Sequence, residues 1–90
     1  MTNQYEATVY TRPGCMKCRA TELALIKMGV PVTTTRIDND ARALGIMADH
    51  GWQELPLVEL HGPDGDVMRW AGMSSRDLAA AKYLTRESAK

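Results

Sequence analysis

Apolar residues in this chain come in short runs, separated by glycine and proline, and the period of the runs changes along the sequence. Ala7–Thr11 (ATVYT) is β-branched and aromatic and stops at Arg12-Pro13-Gly14, which predicts a short strand. From Cys15 or Met16 to about Met28 there is no Gly or Pro and much Ala, Leu, Lys and Glu, which predicts a helix. Met16, Ala20, Leu23 and Ala24 recur at helical spacing and are expected to face a sheet. Gly29 and Pro31 stop that helix. Thr33–Ile37 (TTTRI) is expected to be a second strand. Asp38, Asn39 or Asp40 can cap a helix from about Ala41 to His50, with Gly45 weakening it by ~1 kcal/mol against Ala. Leu57–Leu60 and Val67–Trp70 flank His61–Asp66 (HGPDGD), a pattern for a hairpin. Ser74-Ser75-Arg76-Asp77 has the spacing of a capping box and opens a last helix reaching about Thr85.

The predicted order is β-α-β-α-β-β-α. A strand–helix–strand opening makes a parallel, right-handed unit, and a late hairpin adds an antiparallel pair. The expected fold is α/β, a mixed four-stranded sheet flanked by helices. No internal repeat, linker or low-complexity segment interrupts it, so residues 1–90 are read as one domain.

Composition narrows the function classes. Hydrophobic residues make up 44% of the chain, enough for a modest core without disulfide staples. Lys+Arg and Asp+Glu are both 11, so no basic excess points to nucleic acid. No apolar stretch approaches the ~18 residues of a membrane span, and MTNQYEATVY lacks the charged start and apolar run of a signal peptide. A cytoplasmic setting is expected, and nothing in the sequence demands more than a monomer. In the cytosol a close cysteine pair is more often catalytic or metal-binding than structural.

The only two cysteines stand in YTRPGCMKCR, at Cys15 and Cys18. They fall where the first strand hands over to the first helix, the usual place for chemistry in α/β sheets. Unpaired N–H groups at a helix start stabilise a thiolate, and Arg12, Lys17 and Arg19 add positive potential. Cysteines in such settings ionise near ~7 or below, against ~8.5 for a free thiol. Cys15 is therefore the expected nucleophile. Cys18 lies one turn deeper on the same helix face, placed to release a mixed disulfide formed at Cys15. A metal site and two ordinary buried cysteines remain alternatives. Zinc usually takes four ligands, and only the distant His50 and His61 could complete a set. In Glu54-Leu55-Pro56-Leu57 the proline is either an ordinary first strand residue or a cis proline beside the dithiol, exposing the backbone of Leu55 to an extended substrate. Trp70-Ala71-Gly72-Met73-Ser74-Ser75 reads as a strand end, a Gly turn and a helix cap, or as a place where the Ser75 side chain and the helix N-terminus bind an anion or a partner backbone.

Four pieces together resemble the thioredoxin superfamily and, within it, the glutaredoxin-like NrdH-redoxins. They are VYTRPGCMKC, the Gly29-Val30-Pro31 stop before a strand ending Ile37-Asp38, LPLV at Leu55–Val58, and WAGM at Trp70–Met73. The resemblance covers roughly Thr8–Leu84. It implies a thioredoxin fold with Cys15 attacking, Cys18 resolving and Pro56 cis. Arg12, Met16, Lys17, Leu55, Pro56, Trp70, Ala71, Gly72 and Met73 would be the partner-binding surface. It further implies a dithiol-disulfide oxidoreductase that passes electrons from thioredoxin reductase to class Ib ribonucleotide reductase or another disulfide-containing protein. No bound cofactor is implied, NADPH acting only through the reductase. Glutathione-binding glutaredoxins carry a Gly-Gly turn followed shortly by an Asp, whereas here no carboxylate follows Gly72 until Asp77. Lys17 and Met73 depart from the common NrdH-redoxin pattern, and Lys17 could draw a glutathione carboxylate toward the dithiol. A glutathione-dependent glutaredoxin and a redox-sensing or metal-carrying module are the competing expectations.

Overall fold

The computed structural model describes residues 4–88; residues 1–3 and 89–90 of the expected domain lie outside it. In chain order the elements are β1 (Glu6–Thr11), α1 (Met16–Lys27), β2 (Val32–Arg36), a single 3-10 turn (Ile37–Asn39), α2 (Ala41–His50), β3 (Leu57–His61), β4 (Val67–Ala71) and α3 (Ser75–Ser88). The strands form one mixed sheet in the order β2-β1-β3-β4. β1 runs parallel to β2, from Ala7 opposite Val32 to Thr11 opposite Arg36. It is antiparallel to β3, and β3 pairs with β4 as a hairpin. This is the expected α/β thioredoxin fold.

Strand alternation sorts the core into two clusters. Ala7, Val9, Val58, Leu60 and Trp70 pack with Leu25 of α1 and Ala81 of α3. On the other side Tyr10 and Leu57 pack with Ile37, Ala43, Met47, Leu55 and Cys18. Caps match the chemistry of the sequence. Asp40 is the residue that starts α2, its Oδ1 accepting from the Ala43 N–H at 3.0 Å. Gly51 ends α2 with φ +70, a left-handed conformation that a side chain would oppose. Ser74 Oγ accepts from the Asp77 N–H at 3.1 Å and donates to Asp77 Oδ2 at 2.7 Å, closing a local box at the start of α3.

Two expectations are corrected. The buried face of α1 is Cys18, Thr21 and Leu25, while Met16 is 85% exposed, Leu23 47% exposed, Ala20 exposed and Ala24 half-buried. A hydroxyl at Thr21 is tolerated inside because it donates to the Lys17 carbonyl at 2.9 Å, so a hydroxyl-bearing residue packs as an apolar one. The second strand begins at Val32 rather than Thr33 and ends at Arg36. Its partner β1 runs out at Thr11, and Ile37 turns inward to pack in the Cys18 cluster.

Candidate active site

The tight turn Arg12-Pro13-Gly14 carries the chain from β1 into α1, with the Cys15 N–H bonded to the Arg12 carbonyl at 3.3 Å. Cys15 then takes the N-cap position of α1, in extended backbone. Its Sγ accepts from the backbone N–H of Cys18 at 3.2 Å. That N–H is one of the donors a helix start leaves without an intrahelical partner. The sulfur atoms of Cys15 and Cys18 are in disulfide contact, with Cα atoms 5.3 Å apart. Exposure divides the pair: Cys15 is half-buried at the surface, and Cys18 is 2% exposed within the cluster that holds Tyr10, Leu55 and Leu57.

The proline bond Leu55-Pro56 is cis. Leu55 and Pro56 are buried, and Leu55 packs in the cluster of Cys18, with Cys15 at its margin. The Gly72 N–H donates to the Pro56 carbonyl at 2.9 Å, which ties the WAGM turn to this loop. Gly72 has φ +83, so the turn needs a residue without a side chain.

A concavity of about 170 Å³ is lined by Arg12, Cys15, Lys17, Gln53, Glu54 and Leu55. It brings together four of the predicted residues: Arg12, Cys15, Lys17 and Leu55. A second concavity of about 350 Å³ adds Met16 beside both cysteines. Ala71, Gly72 and Met73 line a third, of about 440 Å³, together with Trp52 and Glu54. Met73 also reaches α1, its Sδ lying 3.4 Å from Thr21 Oγ1. Trp70 is the exception. It is 3% exposed and packs with Ala7, Val9 and Leu25, so its ring faces the core instead of a partner. Strand alternation explains this, since Trp70 pairs with Val58 and shares its inward side.

Two charged residues were not singled out from the sequence. Glu54 accepts from Lys17 Nζ at 3.2 Å across the mouth of the dithiol. Its signal was an opposite charge two residues ahead of Pro56, with no local spacing to link it to Lys17. Glu59 is fully buried on β3. Arg42 Nη2 and Arg69 Nε each reach its carboxylate at 2.7 Å, and the Tyr10 hydroxyl donates to it at 3.1 Å. Burial alone pushes its carboxyl up, but the hydrogen bonds from Arg42 and Arg69 outweigh that and hold it at about 2, against an ordinary 4.5. Tyr10 responds in the opposite sense, its phenol raised above 10.0 by burial and then by the Glu59 charge.

Among the described residues no cluster of three or more His, Cys, Asp and Glu is placed to hold a metal ion, and no helix is long and apolar enough to cross a membrane. His50 stacks on Trp52, with ring centroids 4.1 Å apart, and His61 lies beside Glu59.

This geometry has known relatives. The NrdH-redoxin of Escherichia coli, described as a glutaredoxin-like protein with a thioredoxin-like activity profile, superposes with a TM-score of 0.64 at 25% identity, covering 83% of this chain and 92% of that one. A Fasciola hepatica thioredoxin gives 0.61 at 15% identity, over 93% of this chain and 83% of its own. A mutant thioredoxin from Halobacterium salinarum gives 0.62 at 16% identity, over 98% and 77%. No curated protein sequence matches the chain. The glutaredoxin family model matches residues 7–62, from β1 through the end of β3 and across both cysteines. With its thioredoxin-type sheet and paired Cys15 and Cys18, the chain belongs to the glutaredoxin family of thiol-disulfide oxidoreductases.

Proposed function

We propose that this protein is an electron carrier of the NrdH-redoxin type, reduced by thioredoxin reductase at the expense of NADPH and oxidised by a disulfide-bearing protein, class Ib ribonucleotide reductase in particular. One observation carries the reading: the outer sulfur caps a helix start while the inner one is buried. In the reduced protein the Cys15 thiolate attacks a target disulfide, forming one S–S bond and expelling one target thiolate. Cys18 loses its proton and attacks Cys15 Sγ, which releases the second target thiolate. Two electrons have passed to the target, and Cys15 and Cys18 are joined. A reductase dithiol reverses the sequence. Arg12 and the first-turn N–H groups of α1 favour the ionised form of Cys15.

Glutathione as the reductant is the second reading, favoured by the 440 Å³ concavity beside the WAGM turn. Two contacts weigh against it. Lys17, the cation nearest the dithiol in sequence, is engaged by Glu54, and Asp77 is taken up by Ser74 within its own helix cap. The test is NADPH oxidation with a protein disulfide substrate, run with thioredoxin reductase and, in parallel, with glutathione and glutathione reductase. Turnover with thioredoxin reductase is expected. Turnover only with the glutathione pair would replace the first reading by the second.

A further inference from the structure

Glu54 stands in the wall between two concavities, the one that holds Cys15 and the one beneath the WAGM turn. Its carboxylate meets Lys17 Nζ at 3.2 Å, although the two are 37 residues apart in sequence. Its stem lies against the bare backbone of Gly72, where an added Cβ would come within 3.3 Å of Glu54 Oε1 and 3.4 Å of Glu54 Cβ. Both members of the ion pair are mostly in water, at 60% and 68% exposure, a setting in which such pairs add little to stability. The pair's effect therefore falls on whatever approaches the mouth. Lys17 without Glu54 would leave Arg12 and Lys17 as two cations around Cys15. With it, a negative charge sits beside Cys15, the more exposed of the two cysteines.

We infer that Glu54 is a specificity-determining residue, selecting by charge the disulfides that reach Cys15 and disfavouring those with a carboxylate close to the sulfur. The inference rests on the oxidoreductase reading and adds a criterion for its substrates: a neutral or basic segment flanking the target disulfide. A unit charge ~6 Å from an approaching carboxylate in water changes its local concentration about threefold at low salt. At ~1 M salt the screening length falls to ~3 Å and the effect fades.

The experiment uses the whole protein, reduced with dithiothreitol, desalted and mixed in single turnover with three probes. Neutral hydroxyethyl disulfide, dianionic dithiodiglycolate and dicationic cystamine each receive two electrons, giving two thiols and the Cys15–Cys18 disulfide. Oxidised protein is followed by acid quench and chromatography. Comparing variants on one probe cancels the intrinsic reactivity of that probe, and dividing by the neutral probe cancels changes in Cys15 itself. Glu54→Gln, which keeps the packing on Gly72, is expected to raise the dianion-to-neutral rate ratio about threefold at low salt and to lower the dication-to-neutral ratio by a similar factor. Lys17→Gln is expected to move both ratios the other way. Ratios that do not move, or that move equally in ~1 M salt, would overturn the inference while leaving the chemistry intact. A wild-type protein that fails to reduce even the neutral disulfide would overturn the oxidoreductase reading as well.

Discussion

Replacing Glu59 by Gln isolates the charge at the centre of the sheet's second face. The amide keeps the shape of the side chain and removes the negative charge that Arg42 and Arg69 each meet at 2.7 Å. In the unfolded chain this carboxyl ionises near 4.5, and in the fold at about 2. Each pKa unit is ~1.36 kcal/mol, so the folded environment favours the ionised form by ~3 kcal/mol. Because the folded value is the lower one, this contribution is complete above about pH 5 and is lost as pH falls from 4.5 toward 2. A protonated Glu59 and a glutamine present similar surroundings to the two guanidinium groups. Those groups are 57% and 35% exposed and can turn to water in the variant, which keeps the loss from exceeding that figure by much. Urea unfolding followed by far-ultraviolet circular dichroism, at intervals from pH 7 to 2.5, measures the difference. At pH 7 the variant is expected to be ~3 kcal/mol less stable, a drop of at least ~12 °C in melting temperature for a domain of this size. The difference is expected to shrink to ~1 kcal/mol by pH 2.5 and to close only below the folded pKa of about 2. A difference under ~1 kcal/mol at neutral pH, or one that persists unchanged in acid, would refute the reasoning.

Cys18→Ser is expected to accumulate a covalent mixed disulfide with a target peptide on non-reducing gels, and Cys15→Ser none; equal trapping would reverse or abolish the assigned roles. Iodoacetamide at pH 7 is expected to label Cys15 of the reduced protein well before Cys18, as peptide mapping by mass spectrometry would report, since only Cys15 combines exposure with a helix-start N–H. Leu25→Ala removes a fully buried side chain from the α1 face and is expected to cost ~2–5 kcal/mol in denaturant unfolding. Gly72→Ala forces a side chain into a left-handed backbone beside Glu54 and is expected to destabilise by ~1 kcal/mol or more, with the Lys17–Glu54 contact loosened in nuclear magnetic resonance side-chain spectra.

Local chemistry made most of the element order readable. Glycine and proline at Pro13, Gly29, Pro31 and Gly51 punctuate it, and Ser74 with Asp77 marks the last helix start before any tertiary contact is known. The dithiol was legible for the same reason, since residues three apart at a helix start are neighbours by local geometry alone. What stayed hidden depends on contacts between distant residues. The inward face of α1 turns on a Thr21 hydroxyl satisfied by its own helix, which hydropathy scores as polar. The resemblance put Trp70, with the rest of the WAGM segment, beside the dithiol, but sheet register sends its ring to the opposite side. Glu59 lies between Val58 and Leu60 in a largely apolar strand, and its partners Tyr10, Arg42 and Arg69 come from three other elements, so no spacing could reveal it. Glu54 was visible only as the residue ahead of Leu55 and Pro56 until folding set it opposite Lys17.

The unequal exposure of the two sulfurs has a kinetic consequence. A donor and an acceptor must both attack, or be attacked, through the same small patch around Cys15, so they cannot be engaged at once. Turnover should follow a ping-pong scheme with parallel double-reciprocal lines, and an excess of either macromolecule should inhibit by occupying the form it cannot use. Flux through such a shuttle is then governed by how quickly each visitor leaves, which favours brief encounters over tight complexes.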